Sequence, residues 1–491
     1  MASHQRTPRY AVSRTRLLVI FLGSLWAHSA AAAPPTISVP VDPESYRAEQ
    51  GAGPFGFLQG LRRNGYLFGD MWGLRTALSK YGISFALQET SEVLGNATGG
   101  VRTGAAYDGL TQAALQLDTR RAFGWRGGTL NVSGLWIHGN NLSEDNLLTL
   151  QTASGIQSDR ATRLWEVWYQ QKFRADERMD MRVGLQSLDQ EFMVSQNALT
   201  FMNTMFGWPM LPSADMPGGG PAYPLSALGV RLRARPVNSV TFLAGVFNGT
   251  PAPDSADSQQ SNPHGLQVGL SGRSLAIAEL QWAYPSLGAM VTSDGSEPMP
   301  RVYKIGAWYD GEDFADQRWD SVGASLATST SSGAPRTHRG NYAVYAVADQ
   351  MLWQQADEAD RTLNAFVRVM GTPLSDRNLI DFSLNAGITF REPFMHRDDD
   401  VFGIGLGYAH VSSQAAALDA DTAAATGIFD PSRAGELFVE ATYLYQAAPW
   451  LQLQPDVQVV FNPGGGIANP NAPNTLVGTE LVFGLRTNIL F

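Results

Sequence analysis

The sequence predicts an all-β fold: a transmembrane antiparallel β-barrel of about sixteen strands, with a short N-terminal helical segment and an inward-folded constriction loop. Three observations predict it. Stretches of about ten residues alternate apolar and polar side chains, the period of a strand with two unlike faces. The chain begins with the marks of an export signal. Its closing stretch, ELVFGLRTNILF, sets Leu481, Phe483, Leu485, Thr487, Ile489 and Phe491 against Glu480, Val482, Gly484, Arg486, Asn488 and Leu490. Such a strand needs a partner for its edge and something apolar for its oily face.

Residues 1–32 read as a signal peptide. Arg6, Arg9, Arg14 and Arg16 precede an apolar run from Leu17 to Trp26, and small residues follow up to a cleavage point near Ala32 or Ala33. The run is too short for a membrane-spanning anchor. The formal charge of −10 excludes the basic surface that nucleic acid needs, so no nucleic acid is expected as a partner. The chain has no cysteine, so no disulfide holds it. Residues 33–68 form a Pro/Gly-rich segment, and residues 69–491 a helical segment plus one barrel domain. In Gly69–Gly82, GDMWGLRTALSKYG, the apolar spacing is helical, with Asp70 as N-cap and Gly82 as stop.

Alternation then predicts strands near residues 82–93, 110–120, 128–138, 163–173, 179–188, 227–235, 239–248, 274–284, 301–310, 341–351, 362–371, 379–391, 400–411, 435–446, 450–461 and 476–491. The split is cleanest in ALGVRLRARP, with Leu228, Val230, Leu232 and Ala234 against Arg231, Arg233 and Arg235. In TRLWEVWYQQKF, Leu164, Glu166, Trp168, Gln170 and Lys172 share one face, and Trp165, Val167, Tyr169 and Gln171 the other. A soluble sandwich would alternate in the same way. Export, the aromatic residues on the apolar faces near strand ends (Trp165, Tyr303, Tyr309, Tyr443 and Tyr445), and the need to close every edge in lipid favour a membrane barrel. A barrel of this size holds a water-filled lumen. Residues 190–226 interrupt the strands with a stretch rich in Met, Phe, Pro and Gly. It is too apolar for a solvated loop, and we expect it to fold inward and narrow the channel.

The blocks GDMWGLRTALSKYGI, RLWEVWYQQ, FMNTMFGWP, YPLSALGVRLRARP, GVFNGTP, NYAVYAVADQ, PWLQLQPDVQVVFNPGG and FGLRTNILF together resemble the carbohydrate-selective porin family of bacterial outer membranes, the OprB type. The resemblance covers nearly all of the chain after residue 66. It implies a sixteen-stranded barrel in the outer membrane, passive diffusion of sugars, a constriction lined by arginine, acidic and aromatic side chains, and a helical segment at the periplasmic side.

A sugar offers hydroxyls and two weakly apolar ring faces, so its path needs donors, acceptors and aromatic planes. Candidates on the polar faces are Arg231, Arg233, Arg235, Glu166, Trp168, Glu279, Gln281, Lys304, Trp308 and Arg368. The bland reading is that these charges hydrate the lumen and pair with one another. Conduction asks for weak binding in any case, because the solute must leave. Expected partners are permeating sugars, outer-membrane lipid and the barrel-assembly machinery, engaged through the strand ending at Phe491; a homo-oligomer is compatible with the sequence. Two other functions compete: a porin for small organic acids, which the arginine ladder would suit, and a non-conducting barrel acting as adhesin or scaffold. Enzyme chemistry finds little support. His138, His264, His338, His396 and His410 lack metal spacing, no nucleophile elbow follows a strand, and no cofactor motif is present. The acidic run Asp398–Asp400 reads as a solvated loop tip, with a calcium site as the alternative.

Overall fold

The computed structural model describes residues 65–491 apart from 174–176, 253–256, 270–271, 286–298 and 357. The signal peptide and most of the 33–68 segment lie outside the described residues. The strands are β1 (Ile83–Thr98), β2 (Gly104–Asp118), β3 (Gly128–Gly139), β4 (Ala161–Phe173), β5 (Met179–Gln186), β6 (Ala227–Val237), β7 (Val240–Asn248), β8 (Ser274–Tyr284), β9 (Arg301–Asp320), β10 (Pro335–Gln355), β11 (Glu358–Gly371), β12 (Ile380–Arg391), β13 (Val401–Val411), β14 (Gly435–Ala448), β15 (Leu451–Phe461) and β16 (Glu480–Leu490). Each pairs antiparallel with its neighbours in the chain, and β1 pairs with β16, so the sheet is a closed barrel. Every stretch expected from alternation has its strand.

The period of two holds because the two faces meet different media. Outward Leu232, Ile305, Phe483 and Leu485 are exposed, whereas inward Glu440 and Glu480 are fully buried. At the seam Glu92 stands opposite Arg486 and pairs with it inside the wall. Connections such as 238–239 and 449–450 are short at one end, while those at the other, among them 140–160, 187–226 and 412–434, are long. Short turns mark the periplasmic end of a transmembrane barrel.

Three expectations need correction. In β4 the register slips between Ser133 and Gly134, whose partners are Glu166 and Leu164. The extra residue is a bulge, and it reverses which side chains face inward. Trp165 therefore leaves the aromatic girdle and points inward, 4% exposed, with its ring edge-on to Tyr223 at 6.3 Å. Leu164 parts company with Glu166 for the same reason. Second, β9 and β10 continue well past the expected ends, because beyond the Tyr309 girdle no lipid face remains to demand alternation. Third, Asp70 is not the residue that caps α1 (Leu74–Ser79); Gly73 is, at φ 91°. The Asp70 carboxylate instead accepts from the Thr76 amide (2.8 Å) and hydroxyl (3.0 Å); the helix ends at Ser79 with Lys80 as its C-cap, short of the expected Gly82, which at φ 76° turns the chain into β1.

Helix α1 sits where β1 begins and β16 ends. Its Arg75 is buried and donates to the backbone oxygens of Phe85 (2.7 Å) and Phe491. The other helices, α2 (Thr119–Phe123), α3 (Met210–Asp215), α4 (Ser258–Ser261) and α5 (Ser413–Thr426), belong to connections.

Candidate functional site

The 187–226 connection folds into the barrel, as its composition predicts. Phe192, Met193, Met205, Phe206, Trp208 and Leu211 are all essentially inaccessible. Phe201 stacks on Phe206 at 4.4 Å, and Phe206 meets the inward rings of Phe366 and Phe438 at 5.7 and 5.3 Å. Gly405 on β13 makes room for this cluster, since a Cβ there would lie 2.7 Å from the Phe206 ring and 2.9 Å from Phe201. The apolar residues of the loop thus form a small core inside an otherwise polar lumen.

A second connection, 140–160, also folds inward, with Leu142, Leu147, Gln151 and Ser154 buried. Sequence reasoning missed it. The segment is polar and looks like a solvated loop, but its polar groups are satisfied by the wall: Glu436 accepts the Leu150 and Gln151 amides, each at 2.8 Å.

The charged wall residues hold these loops. Glu166 accepts the Ser187 amide (3.0 Å). Glu279 accepts the Met193 amide (2.8 Å) and the Tyr345 hydroxyl (2.9 Å). Lys304 donates to the Val194 carbonyl (2.6 Å). Arg368 donates to the carbonyls of Met193 (2.9 Å), Gly207 (2.8 Å) and Met205, and to Asn385. Residues absent from the expected set do the same: Asp349 accepts from Ser195 and Asn197, Glu440 from the Met202 and Asn203 amides, and Gln454 donates to Thr200. Within the loop, burial pushes the Asp215 carboxyl well above its usual range, although the Leu379 amide donates to it at 2.6 Å.

The expected residues therefore divide. All ten face inward, but Arg231, Glu279, Trp308 and Arg368 are at most 2% exposed and have no surface to offer a solute in this conformation. Arg231 is held by Asp180 and by Glu191 (2.7 Å). Arg233 shares Asp180 (2.6 Å) and keeps a side-chain exposure of 34%. Trp168 lies beside Glu166, is covered by the Arg182 guanidinium at 3.9 Å from its ring centre, and is itself buried. Arg235, Gln281 and Lys304 remain partly exposed. Asp400 is no solvated tip: it is 1% exposed and accepts from Arg397, the Tyr443 hydroxyl (2.6 Å) and the Gln446 amide (2.9 Å).

On the periplasmic side of the loop core lies a cavity of about 540 Å³, between Ala198–Asn203 and the inner faces of β14, β15, β16 and β1. Its polar lining is mostly carboxamide: Gln88, Gln446, Gln452, Gln454, Asn203 and Asn488, with Tyr66 and Trp450 as aromatic neighbours and Arg486 and Asp399 as its charged members. The amides form a belt across four strands. Gln452 donates to Gln446 (3.3 Å), Asn488 to Gln452 (3.0 Å), Thr90 to Asn488 (2.7 Å) and Gln88 to Thr90 (3.3 Å). Each amide carries donors and acceptors without net charge, which suits a hydroxyl-rich neutral solute.

Comparison with known proteins agrees with this architecture. The chain is 23% identical over 448 residues to Porin B of Pseudomonas aeruginosa, covering 87% of this chain and 91% of that one. It is 24% identical over 421 residues to the putative porin QuiX of Acinetobacter baylyi, covering 82% and 89%. Among solved structures it superposes on the high-pH structure of Pseudomonas putida OprB with a TM-score of 0.75 at 22% identity, over 87% of this chain and 98% of that one, a likeness of fold. Residues 102–491 match the family described as "Carbohydrate-selective porin, OprB family", and with the closed sixteen-strand wall and its inserted loops this shows that the chain belongs to that family of passive sugar porins.

Proposed function

We propose that small neutral sugars enter from the long-loop end in the bacterial outer membrane and descend past Arg233, Gln281 and Lys304 beside the 187–226 loop. They then dwell briefly on the amide belt before release into the periplasm. The carrying observation is that belt: a cavity of about 540 Å³ whose polar wall is mostly carboxamide. The charged residues most buried in the lumen act instead as fasteners that set the width of the path. Passage is driven by the gradient alone, and neutral amides bind weakly enough to let the solute go. Lipid covers the apolar outer face, and the strand ending at Phe491 is the handle for barrel assembly.

Liposome swelling with glucose, a disaccharide and gluconate tests this. Glucose is expected to enter faster than gluconate at equal gradients, and replacing Gln452 by Leu should slow glucose more than a small salt. Faster gluconate entry would turn the reading towards organic acids, and no swelling at all towards a non-conducting barrel.

A further inference from the structure

At the short-turn end of the wall one outward arginine lies on a bed of rings. On β9 the outward side chains are Arg301, Tyr303, Ile305, Ala307 and Tyr309, with Tyr303 and Ile305 38% and 63% exposed. At about 3.3 Å per residue, Arg301 stands about 7 Å along the strand beyond Tyr303, past the girdle and at the depth of lipid headgroups. Its neighbours across the ladder are Tyr284 of β8 and Gln350 of β10. The three strands thereby bring Trp282, Tyr284, Arg301, Tyr303 and Gln350 together on the outer face.

The rings form a stack. Trp282 lies nearly parallel to Tyr284 at 6.3 Å and to Tyr303 at 5.7 Å. The Arg301 guanidinium covers the Tyr284 ring at 4.7 Å from its centre and the Trp282 ring at 5.8 Å. Its Nε is buried with no hydrogen-bond partner, and among the described residues no carboxylate or carbonyl oxygen takes its Nη groups. Other arginines that lie over rings are already matched: Arg182 pairs with Glu191 at 3.1 Å, Arg318 with Asp421 at 2.8 Å and Arg397 with Asp400 at 2.6 Å. Beside Arg301, the Gln350 side-chain oxygen accepts the Tyr303 hydroxyl at 2.7 Å, which leaves its amide nitrogen to donate elsewhere.

We propose that Arg301 and Gln350 bind the phosphate of an anionic glycerophospholipid in the periplasmic leaflet of the outer membrane. Contact with the rings fixes the plane of the guanidinium and leaves its far edge to donate two parallel hydrogen bonds, the geometry that a phosphodiester accepts. The rings stand where acyl chains give way to headgroups. One lipid can therefore lay its chains along Trp282, Tyr303 and Ile305 and set its phosphate against Arg301. The acid nearest in sequence on β10, Asp349, faces the lumen and accepts from Ser195 there. No described carboxylate is thus at hand for an ammonium group, which favours phosphatidylglycerol over phosphatidylethanolamine.

Native mass spectrometry tests this on the whole protein, isolated from outer membranes, stripped of lipid in detergent and then offered phosphatidylglycerol or phosphatidylethanolamine with the same acyl chains. Phosphatidylglycerol is expected to be retained several-fold more than phosphatidylethanolamine, and Arg301→Met to lower that retention several-fold. Arg126→Met removes an exposed arginine of the β2–β3 turn and should retain as much as the unmodified protein. Millimolar inorganic phosphate should displace none of the lipid. Equal retention of the two lipids by the unmodified protein overturns the proposal with no mutation involved, whether or not a variant folds. Undiminished retention in Arg301→Met, an equal loss in Arg126→Met, or displacement by inorganic phosphate would overturn it as well. Glucose-driven liposome swelling per folded barrel should be the same with and without Arg301→Met; a slower rate would put the side chain in the lumen and end the assignment.

Discussion

Arg368 shows what a charge in this lumen does. Its guanidinium gathers three loop carbonyls and an asparagine oxygen at a site with 1% exposure. Replacing it by Met leaves those acceptors unsatisfied, and hydrogen bonds to a charged group are worth about 1.5–3 kcal/mol each. We predict that Arg368→Met lowers unfolding stability by about 3 kcal/mol, read from the urea midpoint, and raises single-channel conductance as the loop loosens. At the outer end, Asp421 on α5 is held below the usual carboxylate range by hydrogen bonds from Arg318, at 2.8 and 3.0 Å. A depressed folded-state value means that the stabilisation is present above the unfolded value and is lost as pH falls through the folded one. Hydrogen exchange over Ser413–Thr426 should therefore quicken in strong acid, below the ordinary aspartate range, and Asp421→Asn should show quick exchange already at neutral pH.

Strands were the legible element, because lipid outside and a polar lumen inside impose a period of two over most of the wall. The bulge at Trp165 was not legible: one added residue reverses the faces without changing composition. Nor was the 140–160 segment, whose polar side chains would look the same against water as they do against Glu436. The inward turn of 187–226 was visible because Met and Phe cannot be left in solvent. Residue types in the lumen could be read, but their partners could not, since an arginine that meets a sugar and one that grips a carbonyl carry the same letter. Strand parity can be tested directly. Leu232, outward and 49% exposed, should lose about 2–4 kcal/mol of stability on change to Arg if it sits at mid-membrane. Gln281→Arg, on the inward face, should fold normally and alter permeation. Equal folding defects in both would contradict the assignment of faces.

At the scale of the whole molecule, wall and loop are bound into one unit. The loop is fastened to β4, β8, β9, β10, β11, β14 and β15 by Glu166, Glu279, Lys304, Asp349, Arg368, Glu440 and Gln454. Removing residues 187–207 would leave these groups without their loop partners, so the variant should lose its heat-modifiable, folded gel band rather than conduct more. A hoop whose inner charges stay bare until its own strap is threaded cannot mature ahead of that strap. We therefore expect ring and strap to settle in one step during insertion.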